Sequence, residues 1–256
     1  MLQAIRKAPL RAFLPAPDTR FVEEPGLRYL ITPSRRDAAY NGVDHFVVDP
    51  ERADAELDRL IAKYEKRRLP HKWIVGPGSA PPDLIERLRA RGLRCWWARG
   101  MALRADVDMR PSTRAIVRQV ACDDIEDLCE TIARGWDQSV DDARRYLYRQ
   151  LSAHADTHLW FVAYVAGRPA GAAGLTLISD YGYLAAAVVL EESRGLGVYR
   201  ALVAARLAAL AARGHTLATT QAREHTSAPM LEHMGFETIY RFQLAATEDA
   251  APPEAE

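Results

Sequence analysis

The sequence predicts an α/β (α+β) protein of two related lobes, each a mixed central sheet flanked by helices. Three observations carry this expectation. Apolar residues switch between a period of two and a period near 3.6 along most of the chain. The order strand-helix-strand-helix-strand occurs twice. The chain has 256 residues, beyond the roughly 100–200 usual for one domain.

The first copy begins near Asp44. His45 to Val48 reads as a short strand, followed by Leu57, Leu60, Ile61 and Tyr64 at helical spacing, the stripe of an amphipathic helix. Trp73 to Val75 is the next strand, closed by Gly76-Pro77-Gly78. Pro81 and Pro82 suit the first turn of a second helix, Leu84, Ile85 and Leu88 give its apolar face, and Gly92 is its stop. Cys95 to Leu103 completes the unit. Before it, Arg28 to Thr32 looks extended among proline-rich loops.

Around Asp108 to Pro111 the pattern resets, so Ala105 to Ser112 is the expected linker. The expected domains are residues 1–105 and 112–245, with 246–256 a disordered tail of alanine, proline and acid. In the second domain, Arg114 to Val120 is a strand and Asp123 to Glu126 resembles a capping box that opens a helix with Ile125, Leu128, Cys129 and Ile132 inward. Ser139 caps a further helix through Leu151. Leu159 to Val165 and Ala170 to Ile178 form a hairpin, and Tyr183 to Leu190 is apolar on both faces, as a strand inside a sheet must be. Then follow a helix (Val198 to Arg213), a strand (Thr216 to Thr220), a helix (Thr226 to Met234) and a strand (Thr238 to Leu244). Aligning Gly92 with Gly235 pairs Leu88 with Leu231 and Leu93 with Phe236; a chance match between two α/β stretches is the alternative to a true repeat.

Charge and composition exclude several classes. Thirty-four basic residues balance 34 acidic ones, so nothing predicts phosphate-driven binding of nucleic acid. The most apolar stretch, Ala201 to Ala212, is broken by Arg206 and is shorter than the roughly 18–20 residues of a membrane span. The start of the chain lacks the apolar core of an export signal. Cys95, Cys122 and Cys129 have no zinc-like spacing and suit free thiols, which places the expected location in the cytoplasm. His154 and His158 are four apart without the glutamate of a zinc-protease helix, so no metal is expected.

The chemistry is expected where Val188-Val189-Leu190 gives way to Glu191-Glu192-Ser193-Arg194-Gly195-Leu196-Gly197-Val198-Tyr199-Arg200. Two glycines permit a sharp turn, and the first amides of the following helix lack acceptors, which makes an anion-binding corner. A phosphate loop of the GxxxxGK type is absent. A dinucleotide fingerprint would need glycine at Arg200 and an acid where Thr216 to Thr220 stands.

The corner resembles the pyrophosphate loop of the GNAT superfamily of N-acetyltransferases: Arg or Gln, two residues, Gly, one residue, Gly or Ala. Arg194, Gly197 and, imperfectly, Tyr199 carry it, and the order of elements over residues 112 to 244, ending Met234-Gly235-Phe236-Glu237, is similar to that family's. The first lobe looks like a worn copy, because its corner reads Val48-Asp49-Pro50-Glu51-Arg52, where proline removes an amide and the acids repel anions.

The resemblance implies an acetyl-CoA-dependent N-acetyltransferase acting by direct attack in a ternary complex. Acetyl-CoA would be the co-substrate, bound by Ala187, Val188 and Val189 along the strand and by Arg194, Gly195, Leu196, Gly197, Val198 and Tyr199 at the turn. The general-acid tyrosine that the family often places on the closing helix is replaced by Leu231, so Tyr183 and His225 are the substitute catalytic candidates, with Gln221 nearby. Trp136 falls where the family forms its acceptor pocket. The expected partner is a small-molecule or peptide amine, a homodimer is admitted, and neither nucleic acid nor membrane is expected. A non-catalytic acyl-CoA-binding protein is the alternative that Leu231 suggests, and a nucleotide-binding fold is the third.

Overall fold

The computed structural model describes residues 2–105, 109 and 114–250. In chain order the elements are α1 (Leu2–Arg11), β1 (Arg20–Glu24), β2 (Leu27–Ile31), β3 (Gly42–Phe46), α2 (Pro50–Glu65), β4 (Lys72–Val75), α3 (Leu84–Ala90) and β5 (Arg94–Arg104). Then come β6 (Ile116–Gln119), α4 (Glu126–Gly135), α5 (Val140–Ala153), β7 (His158–Val165), β8 (Arg168–Ile178), β9 (Tyr181–Val189), α6 (Val198–Ala211), β10 (Leu217–Arg223), α7 (Ser227–Glu232) and β11 (Glu237–Ala246). The mixed α/β class is as expected.

Two compact units interleave along the chain. Met1–Phe13, Met101–Gln221 and Leu231–Glu237 form unit I; Leu14–Gly100, Ala222–Met230 and Thr238–Glu256 form unit II. They are therefore not the contiguous stretches 1–105 and 112–245. Two burial events cause the difference. Helix α1 buries Ala8 in a cluster with Ile178 and Tyr181 of unit I, and Arg11 donates to the Tyr181 hydroxyl at 3.4 Å. Strand β11 pairs antiparallel with β4 in unit II, in the register Gln243↔Val75 and Ala245↔Trp73, and Ala245 is buried in that unit's core.

In unit II the strand order is β1-β2-β3-β4-β11-β5. Strands β3 and β4 are parallel, which requires the crossover that α2 supplies. Ala53, Leu57, Leu60, Ile61 and Tyr64 form the buried stripe of α2, together with Trp73 of β4 and Leu84, Ile85 and Leu88 of α3. Asp49 stands at the N-cap of α2 and Pro50 at its first turn, with no side-chain cap bond. The expected proline start of α3 is corrected: the helix begins at Leu84 after Asp83, while Pro81 and Pro82 lie before it and Ala80-Pro81 is cis.

In unit II a bidentate ion pair joins Arg99 of β5 to Glu224, at 2.8 and 2.7 Å, and Arg241 of β11 reaches the same carboxylate at 2.8 Å. Arg99 holds the Glu224 carboxyl below its usual range, so the group is an ionised clamp on these strands.

In unit I, strands β10-β9-β8-β7-β6 follow one another, with β10 parallel to β9 and the others antiparallel. Helices α4 and α5 bury Leu128, Cys129, Ile132 and Leu147 with Trp160 and Val162 of β7, so Cys129 is a core residue and burial pushes its thiol up to about 11. Ser139 caps α5 by accepting from the Asp142 amide at 3.1 Å. The expected capping box before α4 is absent: Ile125 is the N-cap and no side chain caps it. Of the expected linker, residues 106–108 and 110–112 lie outside the described residues, as do residues 251–256 of the expected tail. Among the described residues no helix is long and apolar enough to cross a membrane.

Candidate functional site

The site begins where β9 and β10 part. Their parallel pairing runs from Tyr181↔Leu217 to Tyr183↔Thr219. Alongside it, the Thr219 hydroxyl donates to the Gly182 carbonyl at 3.0 Å and the Thr220 hydroxyl to the Leu184 carbonyl at 2.8 Å. Even-numbered residues of β9 therefore turn their backbone toward β10 up to this point.

Beyond it the parity reverses. Gly174 pairs with Ala185 but Ala172 with Val188, so two steps along β8 match three along β9. The extra residue is a β-bulge at Ala186, whose φ is +53°. A side chain in this left-handed region is strained by about 1–2 kcal/mol. Past the bulge Val188 faces β8, and the Leu190 amide donates to the Ala170 carbonyl at 2.9 Å. The backbone groups of Ala187 and Val189 consequently face away from β8, on the side where the pairing with β10 has ended.

The predicted residues Ala187, Val188 and Val189 thus divide. Ala187 and Val189 offer backbone to a ligand laid beside β9, whereas the Val188 backbone is used in the sheet. The Val188 side chain packs so tightly against the end of α4 that a Cβ on Gly135 would collide with its Cγ2. Trp136, the next residue in the chain, is 41% exposed.

Strand β9 leads through a short 3-10 turn, Glu191–Ser193, to Arg194, Gly195, Leu196 and Gly197. Gly195 and Gly197 have φ of +77° and +76°, and Gly197 is the N-cap of α6. Both glycines are needed for these left-handed turns. A Cβ added to Gly195 would meet nothing within 4 Å, so the turn is an open cradle. The amides of Val198 and Tyr199 belong to the first turn of a 14-residue helix, where no intrahelical acceptor exists and the dipole is positive. Each nearby acid has a cation: Glu191 lies 4.0 Å from Arg194, and Glu192 accepts from Arg134 at 2.7 Å. The cradle thus fits an anionic diphosphate, and it follows the freed backbone of β9 after the short turn Glu191–Ser193.

Tyr199 is half-buried, and burial pushes its phenol up, so it is neutral and does not repel an anion. Leu231 is 1% exposed and its carbonyl accepts from the amides of Met234 and Phe236. It is a packed core residue at the position where a proton donor was sought. Tyr183 is half-buried on β9, at the last pair before β10 diverges, and Gln221 follows on β10. His225 is exposed in unit II, in the turn after β10, whereas Tyr183 and the cradle belong to unit I.

His154 and His158 bring their rings to 5.6 Å. His158 is 6% exposed, with Nδ1 3.0 Å from the Thr157 hydroxyl and Nε2 3.3 Å from the Ala12 carbonyl, a pairing that anchors the end of α1. Sequence reading missed the bulge at Ala186, because three consecutive alanines carry no local sign of it. It also passed over Arg206, which lies beneath the bulge.

Residues 124–236 match the family model described as "Acetyltransferase (GNAT) family". Among solved structures, a functionally unknown conserved protein from Staphylococcus epidermidis superposes with a TM-score of 0.72 at 13% identity, over 89% of this chain and 92% of its own. A GCN5-related N-acetyltransferase from Kribbella flavida gives 0.66 at 14% identity, over 96% and 93%. A tandem GNAT protein from the clavulanic acid biosynthesis pathway gives 0.57 at 18% identity, over 98% and 89%. No curated protein matches the chain. The fold is that of the GCN5-related N-acetyltransferases, tandem members included, and residues 124–236 are a domain of the GNAT acetyltransferase family.

Proposed function

We propose that the protein is an acetyl-CoA-dependent N-acetyltransferase whose acceptor is a primary amine. The observation that carries the reading is the coincidence, in one unit, of the strand opening beyond Tyr183, the reversed backbone of Ala187 and Val189, and the glycine cradle from Gly195 to Tyr199. The cradle amides and Arg194 would hold the diphosphate, and the β9 edge would pair with the amide-bearing arm of the donor.

The Val189 amide is the donor proposed for the thioester oxygen, stabilising it as the amine nitrogen attacks the carbonyl carbon. The new C–N bond forms, the C–S bond breaks, and the nitrogen loses its proton. An alkyl amine has a pKa near 10.4, so a neutral nucleophile requires a base or a desolvated pocket. Tyr183 and His225 are the proposed proton-handling groups, and the exposed ring of Trp136, next to the Gly135–Val188 contact, supports a role for it on the acceptor side. Alignment of amine and thioester supplies much of the acceleration. A small-molecule or peptide amine and a cytoplasmic setting complete the reading.

Leu231 supports a second reading, an acyl-CoA-binding protein without catalysis, because a buried aliphatic side chain cannot protonate the leaving thiolate. Calorimetry with acetyl-CoA, followed by CoA release with a panel of amines, separates the two. Binding with turnover supports the transferase; binding without turnover for every amine supports the carrier; no binding removes both.

A further inference from the structure

Arg206 lies in α6 and is 2% exposed. No carboxylate among the described residues pairs with it. An isolated buried cation costs several kcal/mol, and a well-packed apolar side chain of similar volume is often the more stable choice. Packing alone therefore does not account for an arginine here.

Its hydrogen bonds show where the charge is used. Nε donates to the Leu202 carbonyl at 3.0 Å, one turn back in the helix. Nη1 points into the sheet, 3.3 Å from the Gly174 carbonyl and 3.5 Å from that of Ala185. Gly174 and Ala185 are partners in the last regular pair before the bulge. Burial pulls the guanidinium down to about 10, which leaves it protonated at neutral pH. Tyr199 is seven residues earlier, on the same face of α6.

We propose that Arg206 is a positioning residue of the transfer site: by bridging the Gly174 and Ala185 carbonyls it holds the Ala186 bulge, and through it the Ala187 and Val189 amides that face the acyl donor. The inference rests on the acetyl-transfer reading. A bulge interrupts ladder bonds and strains Ala186, so it persists only where something else satisfies the backbone. Without the bridge, a one-residue slip would restore regular pairing and turn Ala187 and Val189 back toward β8.

The test compares wild type, Arg206→Met and Arg206→Lys in the full-length chain. ADP, which carries the diphosphate without the amide-bearing arm, should bind Arg206→Met within threefold of wild type, because the cradle is unaltered. Turnover at saturating acetyl-CoA and amine should fall at least tenfold, and lysine, which keeps a cation and a donor, should restore part of it. A folded Arg206→Met with wild-type turnover overturns the proposal.

Wild-type protein labelled with ¹⁵N supplies an arm independent of variant folding. Acetyl-CoA should shift the Arg206 Nε–H resonance and the Ala187 and Val189 amides more than ADP does, because ADP lacks the amide-bearing arm. Shifts confined to Gly195 and Gly197 would leave the coenzyme assignment standing and overturn the role of Arg206. No shift anywhere would remove the transferase reading and this inference with it.

Discussion

Gly197→Asp separates coenzyme binding from folding. Gly197 caps α6 at φ +76°, so any side chain there adopts the left-handed region at a cost of about 1 kcal/mol, somewhat less for aspartate. For a chain of this size that strain lowers Tm by about 2–4 °C. The carboxylate adds a negative charge at the positive end of α6, where an anion is proposed to sit. Acetyl-CoA affinity should fall at least tenfold, about 1.4 kcal/mol. Gly197→Ala carries the strain without the charge and should lose less affinity than the aspartate variant. Titration calorimetry with acetyl-CoA, preceded by thermal unfolding of all three proteins, gives both quantities. A folded Gly197→Asp that binds like wild type would refute the placement of the diphosphate.

Three further outcomes are expected. Glu224→Ala removes a carboxylate only 11% exposed that two arginines share, and should destabilise the protein by about 3 kcal/mol in denaturant unfolding; because its folded pKa is depressed, the clamp contributes above the ordinary glutamate range and weakens as pH falls through the folded value, so an equal variant penalty at low and neutral pH would contradict this. His71 is 1% exposed, stacked on Tyr64 at 4.7 Å with Nε2 lacking a partner among the described residues, and burial lowers its pKa. Unfolded His71 takes up a proton below about 6.5 while the folded form resists it, so stability drops on acidification, and His71→Phe should flatten that part of the stability profile between pH 8 and 5. Leu231→Tyr overpacks a buried position at about 1–3 kcal/mol and should raise turnover by no more than about tenfold; steady-state CoA release beside His225→Ala and Tyr183→Phe measures this, and a large gain would make the carrier reading the better one.

Local features of the site were legible because their causes are local. Two glycines ahead of an apolar helix imply left-handed turns and free amides, and the residues at Gly195 and Gly197 adopt them. The α2 stripe of Leu57, Leu60, Ile61 and Tyr64 is buried as its spacing requires. Pro81 and Pro82 misled because a proline pair suits a loop as well as a first helical turn. The bulge had no signal, since Ala185, Ala186 and Ala187 read alike in any register.

The sequence by itself determined the kinds and order of the elements from β3 onward, the glycine turns at Gly195 and Gly197, and the absence of an apolar run long enough to span a membrane. Periodicity, glycine and proline act within a few residues, so they are visible without a partner. The tertiary structure alone decided which edge each strand joins. A strand such as β11 has one alternating pattern whichever neighbour it meets, and its pairing with β4 depends on an edge some 170 residues away, as shown by Leu244 beside Ile74. The same holds for α1 against Ile178 and Tyr181. It holds most clearly for Arg206, which reads along the chain as a charge interrupting an apolar helix and is buried only because two carbonyls at a bulge are there to receive it.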